Sequence, residues 1–241
     1  MFEEFLKSNA GRAVIGVVIA LLAVAIVELN YKLFFKRVLD IFFSLLFIII
    51  SSPVMAVGAI ISKRREGKVF ETSPYLGVKG KIVYIHCFAG IERGIKNLPH
   101  ILDVFLGRMS IVGVKAMPLA DGALLDDDDL SRLSAKPGIF NHLAVSGNAE
   151  LTYKQIFALD TRYFKRRELF YDIWAVLKSL VAALRGEGAS YLGEARCKTY
   201  AQTLWERGEI TEEDVKNTLL YAKNAEEDFN KGKNFKKQKR L

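Results

Sequence analysis

The residues of this sequence that could do acid–base or metal chemistry are widely spaced. His142 lies in a loop that also holds Asn148. Imidazole titrates near neutral pH, so His142 could serve as a base, although a lone loop histidine is more often a hydrogen-bonding residue. We treat His142 and Asn148 as candidate substrate-binding residues and leave both roles of the histidine open.

The sequence predicts no metal site. Residues 126–129 are four consecutive aspartates, whereas a calcium loop alternates its ligands around a central glycine. We therefore expect them to be a solvated helix start. Cys87 and Cys197 are far apart in the chain, without other cysteines or histidines at the spacing of a zinc site.

Positive charge is the strongest chemical bias of the chain. Its formal net charge is +8, which suits nucleic acid, an anionic membrane surface or a phosphorylated ligand. Basic residues beside an apolar segment favour lipid and phosphate over nucleic acid. Lys115 and Lys136 are the candidate phosphate-binding cations. The interfacial basic residues are Lys36, Arg37, Lys63, Arg64 and Arg65.

A near-continuous apolar run between residues 36 and 65 positions these interfacial cations. It is long enough to cross a bilayer, but the basic residues at both ends favour the same side. Ser52 and Pro53 interrupt it, and the hydroxyls of Ser51 and Ser52 can bond the carbonyls that proline frees. We predict a re-entrant helix, with a kinked spanning helix as the alternative. Asp40 is expected to pair with a neighbouring basic residue.

A second apolar run, residues 13–27, precedes the first. We expect an uncleaved anchor, because the cleavage-like Ala23-Val24-Ala25 lies inside the run rather than after it. The flanking charges favour an orientation with the N-terminus outside and the main part of the chain in the cytoplasm.

The rest of the chain predicts an α/β fold, mostly helical with a small β element. Two short strands flank Gly77, a helix over residues 98–106 ends at Gly107, and longer helices cover residues 151–167 and 169–184. The last helix has an apolar face with Trp174, which suits either the membrane interface or the core. The expected domains are a membrane anchor (1–30), a re-entrant helix (31–65), a cytoplasmic domain (66–190) and a helical extension with a basic tail (191–241).

The order of these features between about residue 31 and 190 resembles the bacterial sugar transferases, the monotopic phosphoglycosyl transferases. The resemblance implies transfer of a sugar 1-phosphate from a UDP-sugar to polyprenol phosphate with Mg²⁺. Its motifs are Lys36-Arg37 with Asp40, Ser52-Pro53, Gly107-Arg108-Met109-Ser110-Ile111-Val112-Gly113, Lys136-Pro137-Gly138-Ile139, and Leu159-Asp160 with Tyr163 and Asp172.

The positions of the family's catalytic carboxylates depart from the family pattern. Family members carry an adjacent Asp-Glu pair before the leucine that matches Leu98, and here these positions are Lys96 and Asn97. Lysine cannot form the carboxylate-phosphate intermediate, and asparagine is a poor ligand for a hard cation, so the usual Mg²⁺ site is doubtful. Asp103 is a weak candidate nucleophile, because it lies nearly two helical turns beyond Lys96.

Two hypotheses follow for the function. The protein is either an active sugar transferase-like membrane protein of polysaccharide or glycoconjugate assembly, or a non-catalytic member. The second would bind lipid phosphate, a nucleotide sugar or an assembly partner. Neither hypothesis involves nucleic acid.

Overall fold

Two apolar helices begin the described part of the chain. The computed structural model describes residues 9–92, 94–126, 128–146, 151–186 and 198–231. Helix α1 (Asn9–Asn30) passes through a π-helical segment (Tyr31–Phe35) into helix α2 (Lys36–Glu66). By length and composition α2 can cross a membrane, whereas α1 has a shorter apolar stretch, Arg12–Ile26.

The serine hydroxyls in α2 satisfy the carbonyls around Pro53. Proline lacks the N–H that would bond the carbonyl four residues earlier, at Ile49. Ser52 Oγ donates to Ile49 O at 2.8 Å, and Ser51 Oγ donates to Phe47 O at 2.7 Å. The predicted compensation within the helix is confirmed.

Both ends of α2 contact the stretch of the chain between Phe88 and Phe105. At one end, the Arg37 guanidinium donates to Val104 O and Phe105 O, both at 2.7 Å. Towards the other end, a Cβ on Gly58 would lie 2.7 Å from the Phe88 ring and 3.1 Å from Ile95. Glycine is therefore needed for this close approach.

A three-stranded antiparallel sheet follows α2. Strands β1 (Phe70–Leu76) and β2 (Ile82–Phe88) form the predicted hairpin, and the short β4 (Met117–Pro118) pairs with β1. In the connection, Gly80 has a φ of +74°, which only glycine adopts at little cost.

A parallel pair of strands lies beside this sheet. Strand β3 (Ser110–Gly113) pairs with β5 (Gly138–Asn141). A Cβ on Gly113 would lie 2.3 Å from Lys136 O, and one on Gly138 would lie 2.1 Å from Gly113 N. The two glycines of the sequence motifs therefore allow the backbones of these strands to approach.

Five helices complete the described fold: α3 (His100–Phe105), α4 (Tyr153–Lys165), α5 (Leu169–Leu184), α6 (Tyr200–Glu206) and α7 (Glu212–Asn230). Capping boxes begin α4, α6 and α7 at Thr152, Thr199 and Thr211. The predicted helices at residues 98–106, 151–167 and 169–184 are confirmed within a few residues. The largest core cluster packs α4, α6 and α7 against the end of the hairpin.

Helix α5 does not pack its apolar face on the core. Its buried residues are Asp172, Ala175, Ser179 and Ala182. The opposite face is 41 to 50% exposed and consists of Ile173, Trp174, Leu177, Leu180 and Val181. This leaves a large apolar surface on the same helix that carries a buried carboxylate.

Candidate functional site

The positions of the family's carboxylate pair lie on a short 3₁₀ turn, Gly94–Asn97, just before α3. Cys87, at the end of β2, lies beside this turn: its Sγ is 3.5 Å from Asn97 Oδ1 and 3.4 Å from His100 Nε2. The pair of Cys87 and His100 could not be predicted from the sequence. Only the folding of the hairpin against α3 brings these two residues together.

The Cys87 and His100 side chains are both neutral near pH 7. Burial raises the pKa of the Cys87 thiol, and the Lys96 charge only partly opposes this shift. Burial also lowers the pKa of His100. The pair is therefore a thiol beside a neutral imidazole rather than a thiolate and imidazolium ion pair.

Asp103 is held inside the fold. It is fully buried, and it accepts hydrogen bonds from the backbone N–H and the Nδ1 of His86, both at 2.8 Å. Arg108 adds an ion pair at 3.0 Å. These contacts brace α3 against β2, and they leave the carboxylate no free path to a substrate.

The residues around Asn97 do not fit a magnesium site. Mg²⁺ prefers carboxylate oxygens in octahedral geometry, and the nearby carboxylate of Asp103 is already occupied. Across the described ranges, no group of three His, Cys, Asp or Glu side chains could hold a metal ion. The side chains around Asn97 therefore do not provide the ligands that a Mg²⁺-dependent step would need.

His142 is buried, and its contacts fit the hydrogen-bonding role, one of the two roles that the sequence left open. Its Nε2 lies 2.7 Å from Asp160 Oδ1, and its ring stacks on Tyr163 with 4.3 Å between centroids. Arg132 completes the cluster with an ion pair to Asp160 at 2.7 Å. Asp160, the aspartate of the predicted motif, explains the burial, because its carboxylate binds both side chains. Asn148 lies outside the described residues.

Lys115 and Lys136 line different cavities, so the structure does not bring the two predicted phosphate-binding cations together. Lys115 lines a cavity of about 150 Å³ with Asp121 and Arg132. Its backbone carbonyl accepts from Arg132 at 3.1 Å.

Lys136 lines a cavity of about 260 Å³ that we call the basic cavity. Three other cations line it, Lys36, Arg37 and Arg167, together with one carboxylate, Asp40. The start of α2, the segment before β5 and the loop before α5 supply these side chains. The basic cavity therefore lies where the apolar helix begins.

Two of its cations are held by the fold. Lys36 forms an ion pair with Asp172, which also accepts from the hydroxyls of Tyr31 at 2.6 Å and Tyr163 at 2.7 Å. Arg37 binds the carbonyls at the end of α3. These contacts join α2 to α3 and α5.

Asp40 bonds to β3 rather than to Lys36 or Arg37, which corrects the expected pairing. It accepts from Ser110 Oγ at 2.7 Å and from the Ile111 N–H at 3.0 Å. Strand β3 lies within reach only after folding, so the local spacing of charges could not predict this contact.

The other two cations of the basic cavity, Lys136 and Arg167, can still bind a ligand. Burial and the nearby charges of Arg37, Lys36 and Arg167 lower the pKa of Lys136, although Asp40 opposes them. Arg167 Nε is buried without a hydrogen-bond partner in the described part of the chain. Crowded cations with a free buried N–H favour an anion between them.

Comparison with known proteins places this geometry in context. Residues 91–186 match the family described as bacterial sugar transferase. The exopolysaccharide production protein ExoY of Rhizobium meliloti (strain 1021) is 28% identical over 95 residues, which are 39% of this chain and 42% of ExoY.

Two further relatives match about the same share of the chain. The galactosyl transferase CpsE of Streptococcus agalactiae serotype III is 32% identical over 99 residues, 41% of this chain and 22% of CpsE. The undecaprenyl-phosphate galactose phosphotransferase of Salmonella typhimurium is 31% identical over 98 residues, 41% of this chain and 21% of that protein. The chain thus spans less than half the length of each of these relatives.

Proposed function

We propose that the protein transfers a sugar 1-phosphate from a UDP-sugar to polyprenol phosphate, because residues 91–186 match the bacterial sugar transferase family. The reaction would serve polysaccharide or glycoconjugate assembly.

One observation carries this proposal. The segment that matches the family supplies α3, β3 and α5, and each of them bonds directly to the first turns of the apolar helix α2. Arg37 binds the end of α3, Asp40 binds β3, and Lys36 binds Asp172 of α5. A reaction between a water-soluble donor and a lipid acceptor needs this arrangement, in which the matched segment sits at the membrane surface.

We further propose that α2 is re-entrant and that the following domain faces the cytoplasm at the bacterial inner membrane. Pro53 provides a point at which α2 could bend, and the basic residues at both ends favour one side of the membrane.

Single cysteines at positions 30 and 63, in a cysteine-free background, test this topology. A membrane-impermeant maleimide should label both positions only after the inner face becomes accessible. Labelling of the two positions from opposite faces would rule out the re-entrant helix.

A non-catalytic binding function is the second candidate. It is favoured by Lys96 and Asn97 at the positions of the family's carboxylates, and by the burial of Asp103. Such a protein would bind lipid phosphate, a UDP-sugar or an assembly partner without turnover.

Release of UMP separates the two candidates. The purified protein would be incubated with polyprenol phosphate, a panel of UDP-sugars and Mg²⁺ or EDTA. Transfer predicts UMP in stoichiometric amount with a polyprenyl diphosphate sugar. Absence of UMP across the panel, with retained binding of lipid phosphate, would leave the binding function. Asp103→Asn serves as a structural control, since that carboxylate is fully buried.

A further inference from the structure

A thiol and an imidazole stand together beside the turn where the family carries its carboxylates. Cys87 Sγ lies 3.4 Å from His100 Nε2, which is hydrogen-bond distance for a sulfur donor, and the cysteine is partly exposed. A cysteine whose proton can pass to an adjacent base is the usual arrangement for covalent catalysis by a thiol. These two side chains therefore supply a nucleophile and a base that Lys96 and Asn97 do not.

The protonated form of His100 would be stabilised by a buried carboxylate. Burial lowers the pKa of His100, the Asp103 carboxylate opposes that shift, and His86 adds to it. Asp103 is fully buried on α3, the helix that also carries His100. Its negative charge therefore favours transfer of the thiol proton to the imidazole.

The charges at this turn suit the approach of a diphosphate. A carboxylate nucleophile repels an anionic donor, and the repulsion has to be offset by a cation. The neutral Cys87 thiol meets no such repulsion. Burial raises the pKa of this thiol, and the Lys96 charge opposes that shift, so the lysine acts on the same sulfur. An ammonium group is well suited to bind phosphate oxygens.

The thiol also lies close to the apolar helix. Phe88 follows Cys87 in the chain, and its ring would lie 2.7 Å from a Cβ on Gly58 of α2. Ile95 precedes Lys96 and would lie 3.1 Å from the same atom. Since α2 is long and apolar enough to cross a membrane, this turn is placed where a water-soluble donor and a lipid acceptor can meet.

We propose that Cys87 is the nucleophile of the transfer reaction, with His100 as its general base and Lys96 as the cation that binds the diphosphate of the donor. This inference rests on the proposed function, and it names the residues that carry the chemistry in place of the family's two carboxylates. It requires a covalent intermediate, a sugar phosphate linked through sulfur to Cys87.

The reaction then runs in two displacements at one phosphorus atom. In the first, Cys87 Sγ attacks the sugar-bearing phosphorus of the UDP-sugar, and the thiol proton passes to His100 Nε2. The S–P bond forms while the P–O bond to UMP breaks, and UMP leaves with the electron pair of that bond. In the second, a phosphate oxygen of polyprenol phosphate attacks the same phosphorus. The S–P bond breaks, and the sulfur takes its proton back from His100.

A donor with radioactive phosphorus in its β-phosphate detects the intermediate. The full-length protein in micelles would be mixed with each labelled UDP-sugar of the panel, without polyprenol phosphate, and quenched in denaturant. The label should stay on the protein with release of an equal amount of UMP, and mass spectrometry should place the sugar phosphate on Cys87. A label on another residue, or no label with any donor of the panel, would overturn the proposal.

Two cysteine variants form a matched pair for this measurement. Cys87→Ser should lose the label, whereas Cys197→Ser, which keeps Cys87, should retain it in full. His100→Gln should slow label formation about a hundredfold without reducing the final amount, because the thiol is still present. An unchanged rate in His100→Gln would rule out the general base.

The donor concentration that gives the half-maximal rate tests Lys96. Lys96→Gln should raise this concentration at least about tenfold, because a charged contact to the diphosphate is lost. Lys81→Gln changes an exposed lysine on the same hairpin and should leave it unchanged. Equal effects of the two variants would indicate general charge attraction instead of a contact from Lys96.

Two results keep this inference distinct from the proposed reaction. Label on Cys87 that polyprenol phosphate does not remove would support the nucleophile while the transfer reaction fails. A polyprenyl diphosphate sugar formed by Cys87→Ser at the rate of the unaltered protein would establish the transfer and overturn the nucleophile. Circular dichroism shows whether each variant is folded, and the position of the label in the unaltered protein depends on no variant.

Discussion

At the scale of single residues, Lys96 and Asn97, which depart from the family pattern, lie beside a thiol that the sequence did not predict there, that of Cys87. Lys96 and Asn97 could be identified from the sequence, because they stand next to a recognisable leucine and proline. The thiol beside them could not, since Cys87 reaches Asn97 only through pairing of β1 with β2 and packing of α3. The burial of Asp103 and His142 could not be predicted either, because it results from contacts with residues distant in the chain, His86 and Asp160.

The raised pKa of Cys87 predicts slow alkylation. A raised pKa leaves less thiolate at about pH 8 than an unperturbed cysteine has, so the reaction with iodoacetamide should be slow there and should keep accelerating at higher pH. Lys96→Gln should slow it further, because the Lys96 charge lowers this pKa. Mass spectrometry of the Cys197→Ser protein measures the rate for the remaining thiol.

Lys81→Gln is the matched control, since Lys81 is an exposed lysine and is not among the groups that shift the Cys87 pKa. A rate for Cys87 equal to that of a free peptide thiol over this pH range would contradict the buried environment.

At the scale of elements, the capping and turn residues in the sequence were sufficient to predict the helices and the hairpin. Thr152 and Thr211 begin helices with complete capping boxes, and glycine marks the turn between β1 and β2. The parallel pairing of β3 with β5 was not predictable, because it depends on a contact between Gly113 and Gly138 across 25 residues. The contacts by which α2 docks on α3 could not be predicted from the sequence either.

Arg37 should be the most important single residue for that docking. Its guanidinium satisfies two carbonyls at the C-terminal end of α3, and hydrogen bonds to charged groups contribute about 1.5 to 3 kcal/mol. We expect Arg37→Ala to lower the free energy of unfolding by about 2 kcal/mol. Urea titration in micelles, without lipid phosphate, measures the difference.

Arg64→Ala removes an exposed arginine from the other end of α2 and should change the unfolding free energy little. An equal loss in both variants would mean that the total positive charge of the helix, rather than the carbonyl contacts, determines its docking.

At the scale of the whole molecule, the exposed apolar surfaces of α2 and α5 meet at one groove, and the basic cavity lies at their border. The sequence left two locations open for the apolar face of α5, since helical periodicity defines a face but not what covers it. Exposure of this face in the folded chain favours contact with lipid.

The two tryptophans test this placement independently. Trp174 lies on the exposed face of α5, whereas Trp205 lies on α6, in the extension that follows the matched segment. In bilayers with brominated acyl chains, Trp205→Phe protein, which retains Trp174, should show strong fluorescence quenching. Trp174→Phe protein should show little. Equal quenching of both proteins would contradict an orientation with α5 against the bilayer.

The Asp172 cluster has a consequence for the order of events during synthesis. Its hydrogen-bonding partners Tyr31 and Lys36 leave the ribosome more than 130 residues before Asp172 itself, a delay of about ten seconds at bacterial elongation rates. Until then the Lys36 ammonium lacks its carboxylate, and burying it unpaired would be costly. The basic end of α2 should therefore stay in water until α5 is made, and the pairing of Lys36 with Asp172 then closes the domain onto the start of α2.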